Sequence, residues 1–318
     1  MARKRSRSLA LASRHALEYG ALRLLAFLIR AMGTDAASGL MGRIWQALGP
    51  RTGRHARVMA NLRRAFPEEP DERLAAIARQ QWNNLGRTFA ESFLIHRFFS
   101  EDRRVELTAH ARTIFDELEK SGKGFVLVSL HSGNWELALM PVARTFGLTG
   151  LYQRISNPLA DRYITAQRRQ VFRGGLIAKG HSTPRAVMQI VRDGGGIGIL
   201  ADQRERKGVD VTFFGEATSA NPFPAMIARR LGVPLIAGRA IRQDGARFIV
   251  DGNPIPVPVS NDAAADVQAA TQAIQSRFET WIRENPGQWM WVHDRWKPSR
   301  PRRRREGATL DKSAPNAN

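Results

Sequence analysis

Cysteine is absent from all 318 residues. That excludes a disulfide framework, a thiolate zinc site and a cysteine nucleophile, and it fits a reducing or cysteine-independent setting. Acidic residues are few beside the basic ones: 29 Asp and Glu against 49 Lys and Arg, a formal net charge of +20. So basic a chain calls for an anionic partner, which composition leaves open among nucleic acid, a phospholipid surface and an acidic protein. A long unbroken apolar run is missing as well. The most apolar stretch, residues 16–32, is interrupted by Arg23 and Arg30, short of the roughly 20 mostly apolar residues of a spanning helix. No small-residue cleavage site follows a compact apolar core, so the stretch does not read as a removable signal peptide. There is no internal repeat.

What remains is globular in composition, with 43% hydrophobic and 25% charged residues, which excludes wholesale disorder. The length suits one large α/β domain with helical additions. Residues 1–15 form a basic arm carrying Arg3, Lys4, Arg5 and Arg7. The stretch 16–32 then reads as a basic amphipathic helix lying on an anionic membrane; an ordinary core helix with two solvated arginines is the alternative. Residues 54–119 read as helical, with Leu74, Ile77, Trp82, Leu85, Phe89 and Phe93 recurring at roughly helical spacing after the Pro70-Asp71-Glu72 start.

From Gly124 the pattern changes. The all-apolar run from Phe125 to Leu130, broken only by Ser129, reads as a buried strand. Strands are expected over 149–153, 197–201 and 234–241, an edge strand over 248–257, and a short one over 290–293. Helices are expected over 133–146, 183–194, 222–231 and 263–283. This alternation predicts a mixed central sheet covered by helices, an α/β fold over 120–297 within a single domain spanning 33–297. Residues 298–318, with four arginines at 302–305, read as a basic disordered tail.

The chemistry concentrates in Leu130-His131-Ser132-Gly133-Asn134-Trp135-Glu136. A strand delivers His131 to the carboxyl end of the sheet, where ligands bind in open α/β folds. Glu136 falls in the first turn of the expected helix, and this spacing can fold its carboxylate onto the imidazole. A carboxylate on one ring nitrogen fixes the tautomer and raises basicity at the other, giving a dyad able to take a proton from a hydroxyl. The alternative is a buried histidine and a glutamate that merely suits the helix dipole. Asn134 in the turn, Arg154 after the second strand, and Asp202 and Gln203 after 197–201 are expected on the same edge, as substrate contacts. For Arg154 that means a phosphate held in a fork geometry; the alternatives are a surface ion pair for Arg154 and capping of the turn before Arg204 for Asp202 and Gln203. The Gly196-x-Gly198-x-x-Ala201 run enters a strand rather than opening a helix, so it is no dinucleotide fingerprint. His181 and His293 lack partners at metal-ligand spacing, so neither metal nor other cofactor is expected. The cluster Trp289, Trp291, Trp296 is assigned to packing.

These elements together resemble one family. H-x4-(D/E) after an apolar strand resembles the signature of the glycerolipid acyltransferases, and the detail resembles the lipid A late acyltransferases of lauroyl/myristoyl type. Further resemblances are Asn61-Leu62…Ala65-Phe66-Pro67, Asn84…Gly86-Arg87…Glu91, Tyr152-Gln153-Arg154…Asn157-Pro158, Asp202-Gln203 with Phe213-Phe214-Gly215, and Pro286…Gln288-Trp289-Met290-Trp291-Val292-His293…Arg295-Trp296-Lys297. Trp289 stands where that family usually carries tyrosine, and Asp294 inside a usually basic pair. The resemblance implies transfer of a fatty acyl chain from acyl carrier protein to a hydroxyl of a lipid A precursor. His131 would be the general base, Glu136 its orienting partner, and the acceptor hydroxyl would attack the thioester directly. Backbone amides near Gly133 are candidates for the oxyanion. The implied place is the cytoplasmic face of a bacterial inner membrane, with acyl carrier protein, the acceptor and an anionic surface as partners and no nucleic acid. The alternatives are an acyltransferase for another glycolipid or phospholipid, mannoside- or glycerophosphate-acylating, and, in a different class, a nucleic-acid-binding protein. Against the last, no zinc-finger spacing, RNP-like motif or basic recognition helix is present.

Overall fold

A computed structural model of the chain describes residues 2–100 and 104–296. The amino-terminal part is helical: α1 (Ala2–Arg30), α2 (Thr34–Leu48), α3 (His55–Ala65), α4 (Asp71–Ser92) and the single turn α5 (Arg97–Ser100). Then come β1 (Val105–Leu107), α6 (Ala109–Ser121), β2 (Phe125–Ser129), α7 (Met140–Phe146), β3 (Thr149–Tyr152), α8 (Pro158–Arg168), β4 (Gly175–Ala178), α9 (Thr183–Arg192) and β5 (Gly196–Leu200). The remainder is β6 (Arg204–Phe213), β7 (Glu216–Ala220), α10 (Phe223–Leu231), β8 (Leu235–Arg242), β9 (Phe248–Pro254) and α11 (Ala263–Glu284). Seven strands form one sheet in the order β1-β9-β8-β2-β5-β3-β4, while β6 and β7 pair as a separate antiparallel hairpin. Every sheet neighbour is parallel except β8 and β9. The chain is thus a mixed α/β protein with a predominantly parallel sheet under helices.

The apolar character of β2, Ser129 apart, follows from its position. It lies between β8 and β5 near the sheet centre, and all five of its residues are buried. One face meets the cluster containing Val126 and Val128; the other meets the cluster containing Phe125 and Leu127. Burying such side chains contributes roughly 1.5–3 kcal/mol each. Parallel strands covered on both faces lose the polar alternation of a half-exposed strand.

Several elements differ from the sequence expectation. Residues 133–146 do not form one helix: a loop is followed by a 3-10 turn (Leu137–Leu139) and then α7. Pro141 in the first turn of α7 explains this, since it has no N–H to donate and clashes with a preceding helical turn. Strand β9 is not at the edge, because β1 pairs with it; Pro254 closes it where the ladder ends. The β6–β7 hairpin escapes a hydrophobic reading because β6 begins Arg-Glu-Arg-Lys. Its turn, Phe214-Gly215, has both residues at positive φ (54° and 74°), the geometry of a tight two-residue hairpin. Residues 290–293 form no strand; the segment makes a single bridge from Trp289 to Ser132. Helix α1 runs without a break from Ala2 to Arg30, joining the expected arm to most of the apolar stretch. Among the described residues no helix is long and apolar enough to cross a membrane. The tail expected over 298–318 lies outside the described residues.

Candidate active site

Register builds the site. Strands β2 and β5 are parallel neighbours, with Ser129 opposite Leu200, and the Ala201 amide donates to the Ser129 carbonyl at 2.9 Å. Two residues past that pair, each strand releases one side chain: His131 from β2 and Asp202 from β5. They meet. The Asp202 Oδ1 lies 2.7 Å from the His131 Nδ1. Its Oδ2 accepts the His131 backbone N–H at 2.9 Å and the Trp289 indole N–H at 2.8 Å.

Asp202 is 2% exposed. Burial alone would raise its pKa, but the charge of the His131 ring, the two hydrogen bonds from His131 and the indole of Trp289 outweigh that and hold it at about 2. An ionised carboxylate can only accept, so the Nδ1 of His131 carries a proton, and Nε2 is left as the basic nitrogen.

The carboxylate on His131 is therefore Asp202, and the spacing argument for Glu136 is corrected. Glu136 sits ahead of the 3-10 turn rather than in a helix, and its Oε1 accepts the Nε–H of Arg168 at 2.7 Å. This pair lies at the cavity, with the Arg168 side chain 29% exposed and that of Glu136 10%. The Glu136 charge raises the pKa of Arg168, against the opposing effect of burial. Asn134, expected as a substrate contact, is 1% exposed, and its amide donates to Glu91 Oε2 at 2.9 Å. It fastens the loop instead. The Gly133 amide, next to the oxyanion donors expected from sequence, is already donated to the Gln288 carbonyl at 3.1 Å.

A buried polar layer holds this loop from below. The carboxylate of Glu91, fully buried on α4, accepts from Arg242, Ser38 and Asn134. The Gly133 carbonyl accepts from Asn84 at 3.0 Å and Thr88 at 2.7 Å. Arg242 ties the layer together through Asn84 and Thr88. Gly133 itself is required, since its φ is +57° and a Cβ there would fall 2.0 Å from the Ala240 carbonyl oxygen. From above, the 288–291 segment clamps the loop, with the Met290 amide donating to the His131 carbonyl at 2.9 Å. In the sequence Asn84 and Glu91 stand out only as part of a resembling block, without a role, although Asn84, Thr88 and Glu91 stand at helical spacing, a polar stripe on a helix otherwise facing the core. Sequence reasoning passed over the role of Trp289, which packs in the core with Trp291 and still spends its N–H on Asp202.

His131, Glu136 and Arg168 open onto a cavity of about 460 Å³, within the range of small-molecule sites. Leu139, Leu151, Phe172, Leu176 and Ile199 give it an apolar interior. Gly150 and Gly198 are register partners on β3 and β5. The Phe172 ring fills the hollow over Gly150, where a Cβ would lie 2.7 Å from it, while a Cβ on Gly198 would meet Leu139 at 3.1 Å and Leu148 at 3.3 Å. Gln203 lines the cavity and is exposed. Arg154 is exposed between Gln153 and Ile155, which line the mouth, but does not line the cavity itself. Among the described residues no group of His, Asp or Glu is placed to hold a metal ion.

A base with a fixed tautomer, beside an apolar chamber and a cation, is suited to deprotonating a hydroxyl next to a bound hydrocarbon chain. Comparison with known proteins agrees. The family described as bacterial lipid A biosynthesis acyltransferase matches residues 9–298. A phosphatidylinositol mannoside acyltransferase of Mycolicibacterium smegmatis is 27% identical over 278 residues, covering 85% of this chain and 88% of that protein. One from Mycobacterium tuberculosis is 29% identical over 181 residues, 55% of each chain.

Proposed function

The chain belongs to the bacterial lipid A biosynthesis acyltransferase family and is an O-acyltransferase acting on a glycolipid; from that premise we propose that it moves a fatty acyl chain from acyl carrier protein to a hydroxyl of a lipid A precursor. The observation that carries the reading is the Asp202–His131 pair, 2.7 Å apart, at a cavity with an apolar interior. The acyl chain lies along Leu139, Leu151 and Phe172, which brings its thioester carbonyl to His131. The Nε2 of His131 takes the proton of the acceptor hydroxyl as its oxygen attacks that carbonyl. The C–S bond of the tetrahedral intermediate then breaks, and the imidazolium returns its proton to the leaving thiolate. Asp202 stabilises the transient imidazolium. Arg168, whose Nε alone is engaged by Glu136, offers its Nη groups to the developing oxyanion. No acyl-enzyme is needed.

The relatives' names favour a second acceptor, a phosphatidylinositol mannoside. The catalytic steps are the same for either. The protein works at the cytoplasmic face of the inner membrane, docked through α1, where Leu17, Leu24, Phe27 and Leu28 are more than half exposed.

The test is a purified transfer assay crossing both acceptors with acyl chains on carrier protein and on coenzyme A, read by mass spectrometry. Transfer from the carrier protein to the lipid A precursor, lost in His131→Ala by roughly 10²–10⁴-fold, is the expected result. Release of free fatty acid alone, or full turnover by His131→Ala, would sink the reading.

A further inference from the structure

The imidazole of His131 has a second neighbourhood, which the acyl cavity does not include. Its ring centroid lies 6.0 Å from that of His293, and His293 does not line the cavity. The segment bearing His293 is tied to α3. Asn61 donates to the carbonyls of Trp291 at 2.8 Å and His293 at 2.6 Å, and the Arg57 Nη1 donates to the Val292 carbonyl at 3.4 Å. Arg54, one turn earlier at the start of α3, and Arg57 are both exposed. Among the described residues neither forms an ion pair with a carboxylate. Asp294, beside His293, has an interaction of its own.

The local field is positive. Desolvation and then the charge of His131 lower the pKa of His293; Arg54 and Arg57 push the same way, and Asp202 opposes them. Within the site two arginines are matched, Arg168 by Glu136 and Arg242 by Glu91. Here two guanidiniums on the helix tied to the His293 segment pair with no carboxylate among the described residues. Unpaired arginines next to the segment that carries His293 suit an anion with several acceptor oxygens, which a guanidinium fork binds well.

We propose that Arg54, Arg57 and His293 form a subsite for the phosphate of an anionic glycolipid acceptor, holding its headgroup so that the hydroxyl reaches His131 from outside the acyl cavity. This rests on the acyl-transfer reading, with donor and acceptor approaching the imidazole from different sides. The subsite selects acceptors that carry phosphate over neutral ones.

The experiment compares wild type with the double variant Arg54→Gln, Arg57→Gln, and with the double Lys variant, in detergent solution. It uses one phosphate-bearing and one neutral glycolipid acceptor, with inorganic phosphate as a soluble competitor. In the double Gln variant the ratio of kcat/KM for the phosphate-bearing over the neutral acceptor falls on the order of tenfold or more, and Lys restores part of it. In wild type, inorganic phosphate competes with the acceptor. An unchanged ratio overturns the proposal, and so does competition by phosphate against the acyl donor instead. Should wild type transfer to no acceptor, the acyl-transfer reading fails by itself. The subsite is then judged by the His293 imidazole NMR signals on adding inorganic phosphate. A shift in wild type that the double Gln variant lacks supports it; no shift in wild type overturns it.

Discussion

Asp202→Asn separates the structural account of the base from the spacing account, and its effect can be worked out atom by atom. Oδ2 of Asp202 receives two donors, the His131 backbone N–H and the Trp289 indole N–H, whereas Oδ1 faces only the imidazole Nδ1. An asparagine in this place puts its carbonyl oxygen where two donors converge, because its NH2 there would oppose both. The NH2 then faces Nδ1 and donates to it, which drives the ring to the tautomer protonated at Nε2. That tautomer cannot accept the acceptor's proton. The gap between an ordinary 3.8 and about 2 also measures how strongly the site favours the anion, about 2 kcal/mol. With both base and imidazolium stabilisation lost, kcat should fall roughly 10²–10⁴-fold with little change in KM for the acyl donor. The assay is steady-state transfer with both substrates varied, with circular dichroism and thermal melts to show that the fold survives. Glu136→Gln serves as the contrast. It disturbs Arg168, so it should act on binding and oxyanion stabilisation and leave the tautomer alone. A kcat for Asp202→Asn within threefold of wild type would exclude Asp202 as the group that sets the tautomer, most directly if Glu136→Gln caused the larger fall.

Phe172→Ala empties the hollow over Gly150, so the preferred acyl chain should lengthen in a competition assay; an unchanged chain-length profile would show that Phe172 does not limit the chamber. Gly133→Ala drives a Cβ into the Ala240 carbonyl at a positive φ, and a soluble variant with wild-type melting temperature and turnover would contradict the fit of that loop. Asp202 titrates lower folded than unfolded, so its stabilisation is complete above pH 3.8 and is lost as pH falls towards 2. Urea midpoints should accordingly register a loss of about 1 kcal/mol by pH 3 that Asp202→Asn lacks, and equal slopes for the two proteins would count against an ionised Asp202. Replacing Leu24, Phe27 and Leu28 together by serine should weaken co-sedimentation with anionic vesicles; undiminished binding would place the membrane contact elsewhere.

The fold was legible wherever burial leaves a one-dimensional trace. The run from Phe125 to Leu130 announced a central strand, and Thr183-Pro184 and Gly232 marked helix ends where α9 and α10 begin and stop. Elements whose residues face water or another polar group left no such trace. Strand β6 carries Arg204, Glu205, Arg206 and Lys207 because its hairpin lies off the main sheet, and β4 is a half-exposed edge.

The site divides along the same line, with distance along the chain as the second obstacle. His131 was visible from its strand end. Asp202 was placed on the right edge but not paired, because pairing depends on β2 and β5 being neighbours, a relation between segments 71 residues apart. The five-residue spacing to Glu136 offered a nearer partner only by assuming a continuous helix, which Pro141 and the left-handed Gly133 prevent. The two carboxylates divide the work on physical grounds. Asp202 is almost wholly enclosed and receives three N–H donors from His131 and Trp289, so it stays anionic and fixes a tautomer. Glu136 meets one guanidinium at the cavity wall, so it tempers a charge that substrate will meet. The surplus of +20 is spread over the chain. Arg54 and Arg57, exposed on α3 next to the His293 segment, are the part of it proposed to meet the acceptor's phosphate.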